Sequence, residues 1–551
     1  MGTGQDRWRD RHHSGEPELE PTISTSSDDI RAHLHLNVDD DQKAINPLSS
    51  LGSNVVSQTS SSGHPPGVAE KIQLSSINLL RKVFTMKHFA FILLLTVYII
   101  WFISQSMKLY YGYGYPPFDL AIFDQGLWLI SHFHVPFVTI MGRNLFGDHT
   151  SFILLFFAPF YRLFPEPQGM LILQTLMLAG AAIPIYMLAQ KYVKNTTIAT
   201  LLAATYLLNP MLQQGNLDQF HPEAFQVLII ALLIYAAMES KFVLLGVLAI
   251  LALLVKEDAA ALVVPLGIWV LLRRNRKWGF SIIGIAVTWA IVANEYIIPS
   301  ILGSRSFYGG RIPFGGLSGL LDTLVRRPGQ LFSYLGSGGR LFYLWQIGST
   351  TGFAFLLAPE IAAIGLLVVA ENVVSNDPYM HQILYQYSMP LAPVLVLGTV
   401  FAIAQQKSVM RRNIVTAVVV TAALWSCIAW GLAPFSNTAI YASWSPTSST
   451  GQAVAYVERG LPANASVSAW YPLVAHIDHR THIYVWPTPF SAQNWGLLNN
   501  TGARLPVADK VHYLFLPVPL NSTENPDVLN AIVRGYTLIR SRGGFGLYEK
   551  S

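Results

Sequence analysis

The chain has 551 residues, of which 52% are hydrophobic and 12% charged, against about 25% charged in an average soluble domain. A mean hydropathy of +0.39 over a chain that begins with a long polar stretch requires the remainder to be more apolar still, as repeated membrane crossings do, and excludes an ordinary soluble enzyme. The formal net charge of +5 comes with basic residues gathered at the ends of apolar runs, where they set topology, so no nucleic-acid site is read from it. A single cysteine, Cys427, excludes an intrachain disulfide and the Cys-based zinc patterns.

Residues 1–80 are rich in Ser, Asp, Glu, His and Gly, with the acidic Asp39-Asp40-Asp41 and a loop-forming stretch from Ser60 to Pro66. Apolar periodicity does not persist there, which predicts a disordered tail. The tail lacks the short basic start and apolar core of a secretory signal. The first apolar run, His88 to Ile103, follows Arg81, Lys82 and Lys87, so the positive-inside tendency puts the tail in the cytoplasm.

Ten further spans follow with basic residues as checks: Met170 to Leu188, Thr197 to Leu208, Ala224 to Met238, Phe242 to Val255, Ala259 to Leu272, Phe280 to Ile297, Leu341 to Phe355, Ile361 to Val374, Tyr387 to Gln405 and Ile414 to Trp430. The inside signals are Lys191 and Lys194, Lys241, Arg273-Arg274-Asn275-Arg276-Lys277, and Lys407 with Arg411 and Arg412. This predicts an α-helical polytopic membrane domain over 88–434 with about 11 transmembrane helices. Phe152 to Phe164 is short and interrupted by Pro159, and reads as re-entrant or interfacial. From about residue 435 to 551 the pattern turns mixed. Ala465 to Trp470, His482 to Trp486 and Val511 to Pro517 read as strands, Asp527 to Arg534 as a helix, and Thr537 to Tyr548 as a hairpin turning at Gly543-Gly544. The expectation is a small α/β domain outside the cytoplasm, on the face that carries the loops 105–168 and 301–340. The localisation expected is the plasma (cytoplasmic) membrane, multi-pass.

Ionisable groups near span ends are functional candidates, and most fall on the expected outer face. Asp119 and Asp124 lie in the stretch Tyr115 to Trp128. Their spacing of five turns a helix by about 500°, leaving the carboxylates about 140° apart, so they are not a paired acid and base on one face. Asp119 follows Pro116-Pro117 and suits an N-cap. The same face gathers Asp148 and His149; Asp218, His221 and Glu223; Lys256, Glu257 and Asp258; and His381 with Tyr385. Such groups suit both a divalent cation and sugar hydroxyls. Their spacing matches no specific metal motif, and each is also explained by an interfacial hydrogen bond or internal ion pair. The second outer loop carries Arg305, Arg311, Arg326, Arg327 and Arg340 against Asp322; arginine forks suit phosphate oxygens. Aromatic residues beside these loops read mainly as the interfacial belt.

The phrases Phe118-Asp-Leu-Ala-Ile-Phe-Asp-Gln-Gly-Leu-Trp128, Gly147-Asp-His-Thr-Ser151 leading to Ala158-Pro-Phe-Tyr161, Phe220-His-Pro-Glu-Ala224 and Lys256-Glu-Asp258 together resemble a bacterial and archaeal family of uncharacterised multi-spanning membrane proteins grouped with the GT-C glycosyltransferases. The resemblance runs from about 88 to 550. It implies a GT-C-like fold and transfer of a sugar, with inversion, from a polyprenyl-phosphate donor to a glycan, lipid or protein acceptor on the outer face. By that resemblance Asp119, with Asp124 second, is the base or metal ligand beyond the first span. Gln125, His149, His221, Glu223, Lys256, Glu257, Asp258, Arg305, Arg311 and His381 are then the substrate-binding candidates, and Asp119 with Asp148 the candidate ligands of a divalent cation such as Mg or Mn. Two other readings compete: a membrane transporter or lipid flippase, which predicts charges near the midplane and inverted repeats, and a non-catalytic envelope protein whose outer domain binds a partner.

Overall fold

The computed structural model describes residues 88–304, 310–496, 501–519 and 532–551. The expected tail 1–80, Arg305 and most of the expected helix Asp527 to Arg534 lie outside the described residues.

The longest apolar runs become the longest helices. Phe89–Tyr111, Pro167–Val193, Arg276–Leu302, Gln386–Ala404 and Val409–Trp430 are each long and apolar enough to cross a membrane. Phe89–Tyr111 at 23 residues is about 35 Å long, against a hydrocarbon thickness of about 30 Å. Between Leu391 and Ile403 every residue is buried, so this helix runs through the middle of the protein while Phe89, Val97 and Ile100 of the first helix face outward. Asparagines start several helices: Asn195, Asn209 and Asn275 accept hydrogen bonds from the backbone N–H groups of Ile198, Met211 and Trp278, capping donors the helices leave open.

The expected eleven spans are corrected in length. Thr196–Leu207 and Phe242–Leu253 have 12 residues each, about 18 Å, and reach only part of the way across. They pack against neighbouring helices, which lets them end inside protein rather than in lipid. The expected span Leu341 to Phe355 is broken: its helix ends at Ser349, and the chain turns through Gly352 and Phe353, both with positive φ. Ile361 to Val374 is built from the helical turn Pro359–Ala362, the 3-10 turn Ala363–Gly365 and the helix Leu366–Val374. Phe152–Phe156 and Ala158–Tyr161 are two short helical pieces, neither long enough to cross.

Seven strands are described. β1 (Phe137–Val138) and β2 (Arg143–Asn144) form a small antiparallel pair in the first long loop. β3 (Val467–Ala469), β4 (Ile483–Val485), β5 (Tyr513–Pro517), β6 (Tyr536–Arg542) and β7 (Phe545–Lys550) form one sheet in the order β4-β3-β5-β7-β6. β3 is parallel to both β4 and β5, while β7 is antiparallel to β5 and β6. The terminal hairpin turns at Gly543 and Gly544, whose φ values of 54° and 84° suit glycine.

The sheet is not a separate body. Its buried residues Val467, Ala469, Leu473 and Ile483 belong to the same hydrophobic core as the membrane helices. Thr139 Oγ1 donates to the Ile483 carbonyl at 2.7 Å, and the Trp444 N–H donates to the Gly112 carbonyl at 2.8 Å. Gly142 has φ +68°, and a Cβ there would lie 2.3 Å from the Trp495 ring, so the loop closes against the sheet domain only with glycine at this position.

Candidate functional site at the helix ends

Asp119 sits at the N-cap position of the helix Leu120–Ser131, but its side chain does not cap the helix. The Leu120 N–H donates instead to Gln219 Oε1 at 2.9 Å. The carboxylate is thereby free to turn toward His221, whose Nε2 lies 3.0 Å from Asp119 Oδ2. With a carboxylate as acceptor, Nε2 carries the proton. The two residues differ in exposure: the Asp119 side chain is 40% exposed and that of His221 2%. His221 is fixed from behind, because its backbone N–H donates to Gln174 Oε1 at 2.7 Å and the Gln174 amide donates to the carbonyls of Asn216 and Gln219. Burial lowers the His221 pKa, but the bond to Asp119 and the charges of Asp119, Asp218 and Glu223 outweigh it and the net shift is upward. Nδ1 of His221 has no partner among the described residues. The cationic form therefore carries one unmet donor, which offsets part of that rise.

A row of charges continues from this pair. The helices Phe242–Leu253 and Ala260–Arg273 meet at Lys256, whose backbone is extended, and the 3-10 turn Glu257–Ala259. Lys256 Nζ donates to Glu223 Oε1 at 2.9 Å and meets Asp258 Oδ2 at 3.2 Å. Glu257 accepts from His149 Nδ1 at 2.6 Å and from the Thr150 N–H at 3.1 Å. Asp148, next to His149, pairs with Arg143 at 2.8 Å. Burial opposes the charge on both His149 and Glu257, and their mutual attraction wins: His149 is raised and Glu257 held well below the usual carboxylate range. Lys256 is likewise raised, since Asp258, Glu223 and Glu257 outweigh its burial.

Tyr387 stands between two cations, with Lys256 Nζ 5.8 Å and Arg311 Cζ 5.7 Å from its ring centroid. Arg311 also pairs with Asp377 at 3.2 Å. Lys256 and Arg311 thus flank one aromatic side chain. A cavity of about 30 Å³ opens beside it, lined among others by Glu223, Asp258, Glu371, Asn372 and Tyr387. That holds one or two waters.

The structure brings together Asp119, His221, Glu223, Lys256, Asp258 and Arg311, with His149 and Glu257 joined to them through Lys256. Other expectations are corrected. Gln125 is fully buried and its amide is engaged within the protein: Nε2 donates to Thr139 Oγ1 and the Arg480 carbonyl, and Oε1 accepts from the Thr139 N–H. It clamps the sheet domain and has no group left for a substrate. Asp119 is held by His221 and Asp148 by Arg143. Arg326 and Arg327 pair with Asp322. Buried Arg340 donates to the carbonyls of Val373, Ser337 and Ser375, which hold it inside the protein. His381 is buried close to Arg340. Arg305 lies outside the described residues.

Asp124 faces the other way, fully buried against the sheet domain. It accepts from the Tyr161 hydroxyl, and its Oδ2 lies 2.8 Å from His479 Nε2. Asp478 is buried beside it, and burial together with the Asp124 carboxylate pushes Asp478 well above the usual range. Sequence reasoning missed Asp478 and His479 because they are distant in the chain and carry no local motif, and it placed Tyr161 in a family phrase without giving it a role. It also missed Glu371 and Tyr387; the available signal for Glu371 was an acid within the apolar run Ile361 to Val374.

Residues 115–503 match the family model described as "Predicted membrane protein (DUF2079)". The match covers more than two thirds of the chain, and the protein belongs to that family of multi-pass membrane proteins. No curated protein matches its sequence. Two crystal structures of ArnT from Cupriavidus metallidurans align with it at 11% identity. The one bound to undecaprenyl phosphate has a TM-score of 0.48, covering 83% of this chain and 97% of that one. The apo form has a TM-score of 0.46, covering 82% and 98%.

Proposed function

We propose that this protein is a membrane glycosyltransferase of the GT-C type. It moves a sugar, with inversion, from a polyprenyl-phosphate-linked donor to an acceptor hydroxyl on the extracytoplasmic face. The observation that carries the reading is the Asp119–His221 pair, a carboxylate two-fifths exposed and locked at 3.0 Å by a buried histidine, beside Lys256 and Arg311. The motif resemblance supplies the reaction class.

In the reaction the acceptor oxygen attacks the anomeric carbon from the face opposite the phosphate. Its proton passes to Asp119 as the new carbon–oxygen bond forms, the bond between the anomeric carbon and the phosphate oxygen breaks, and polyprenyl phosphate leaves. General base assistance of this kind contributes about 10² to 10⁴-fold. The leaving group is already an anion, so it requires charge stabilisation more than a proton. Arg311, 29% exposed in its side chain, is the cation on hand for it. Lys256 is enclosed by Glu223 and Asp258, and acts by holding that acidic wall in place.

The test is transfer of labelled sugar from a panel of polyprenyl-phosphate donors by the purified protein in liposomes. Wild type turns over with one of the donors, and Asp119→Asn loses about 10² to 10⁴-fold per folded molecule at a temperature below the midpoint of both proteins. Transfer at the wild-type rate in Asp119→Asn would remove the base from this residue.

A further inference from the structure

We propose that Asp124, Asp478 and His479 form a binding site for one divalent cation of the zinc or manganese class, joining the helix Leu120–Ser131 to the C-terminal sheet domain. Each of the three residues offers one ligand atom, and the three atoms lie within 4.8 Å of one another. His479 Nε2 is 2.8 Å from Asp124 Oδ2 and 4.0 Å from Asp478 Oδ1. An ion held at about 2.1 Å by oxygen and nitrogen separates neighbouring octahedral ligands by about 3.0 Å and opposite ones by about 4.2 Å. The 4.0 Å separation falls in that range and the 2.8 Å one lies just below it, so a cation enters once His479 and Asp124 move slightly apart.

The burial of the cluster gives a second, independent argument. Asp124 and Asp478 are both buried, at 0% and 1% exposure, and Asp478 Oδ2 has no hydrogen-bond partner among the described residues. A buried carboxylate oxygen without a donor is costly. The Arg480 guanidinium donates hydrogen bonds to the carbonyls of Ile477, Pro462 and Ala465. Two buried carboxyl groups and one imidazole therefore meet in one small volume, and a cation would take the place of the hydrogen bonds now made between them. The donor set of two oxygens and one nitrogen suits zinc or manganese better than calcium. Tyr161 completes the surroundings: its hydroxyl donates to Asp124 and lies 2.9 Å from His479 Nε2, the kind of outer hydrogen bond that orients a ligand.

An entry path is present. A cavity of about 260 Å³ is lined by Asp478 and His479 together with Tyr110, Glu166, Glu458 and His476, and the His479 side chain is 30% exposed. Three protein ligands leave coordination positions open toward that cavity for water or a ligand oxygen. The site stands on residues other than Asp119 and does not depend on the transferase reading.

The experiment uses the full chain in lipid nanodiscs, stripped with EDTA and dialysed against Zn²⁺ or Mn²⁺ alone. Metal content is read by mass spectrometry and stability by thermal unfolding. Wild type is expected to retain about one equivalent and to unfold about 5 °C or more higher with metal than without. Asp478→Asn and His479→Gln are expected to retain less than about a fifth of an equivalent and to lose the metal-dependent shift. In the Mn²⁺ form, electron-spin-echo spectra of wild type carry an imidazole nitrogen coupling that His479→Gln lacks, a readout that does not require the aspartate variant to fold. No retained metal and no shift in wild type overturns the proposal and leaves the two carboxyls sharing a proton. Full retention in both variants overturns it by placing the ion elsewhere.

Discussion

Lys256→Met isolates the energetics of the charged row. The Lys256 side chain is 6% exposed, and its principal partner Glu223 is 8% exposed at 2.9 Å. Removing the ammonium leaves the Glu223 carboxylate ionised in the protein interior, for which loss of one partner of a buried pair costs about 3–5 kcal/mol. Asp258 is 35% exposed and adds no more than about 1 kcal/mol, because solvent reaches it. The expected loss is thus about 4 kcal/mol. Methionine matches the lysine stem in bulk, so little of this reflects packing. Adding Glu223→Gln to the same chain removes the stranded charge and is expected to restore about 2–3 kcal/mol, making the double variant more stable than the sum of the singles. Unfolding free energies in mixed micelles, measured for wild type, both singles and the double, supply the cycle. A loss below about 1 kcal/mol in Lys256→Met, or strict additivity, would refute the buried-pair reasoning.

Three further outcomes follow. His149 and His221 both have folded pKa values above the ordinary histidine value of about 6.5. Their contribution is complete below about pH 6.5 and is lost as pH rises through the folded values. Glu257 is shifted down, and its contribution is present above about pH 4.3 and lost as pH falls through its folded value. Thermal midpoints across pH should therefore peak between about 4.3 and 6.5, and Asp119→Asn with Glu257→Gln should flatten both flanks; an unchanged profile contradicts the assignment. Gln125→Leu leaves the Thr139 N–H and the Arg480 carbonyl without the amide that joins them, a loss of about 2–5 kcal/mol, read as protease sensitivity of the sheet domain. Gly142→Ala forces a Cβ into Trp495 at a positive φ and should lower the thermal midpoint, with relief in Gly142→Ala plus Trp495→Leu if the ring is the obstacle.

Much of this architecture was legible in the chain because burial in lipid demands long apolar runs with basic ends. The five long helices coincide with runs found from hydropathy, and the hairpin at Gly543-Gly544 was readable from its turn chemistry. The broken helices were not legible. A run such as Leu341 to Phe355 reads as one span although its middle, Gln346-Ile-Gly-Ser-Thr-Thr-Gly352, is polar and glycine-bearing, and packing shows that it turns at Gly352 and Phe353. At the site, the residues that converge around Tyr387 were named from their places at span ends, where an ionisable group requires a reason. Gln125 was misjudged because a polar residue beside two aspartates reads as functional until its partners are seen. Asp478 and His479 escaped notice because their meaning depends on Asp124, more than 350 residues earlier in the chain.

The clamp from Thr139 to Ile483 spans 344 residues of sequence, and this bears on the order in which the molecule is made. At about 5–20 residues per second, the first long loop waits roughly 20–70 s for its partner strand to leave the ribosome. Until then Gln125, Thr139 and Asp124 have no sheet domain to bury them. The half-finished chain leaves these polar groups uncovered, so synthesis that stalls before residue 483 leaves Thr139 without the strand that it clamps.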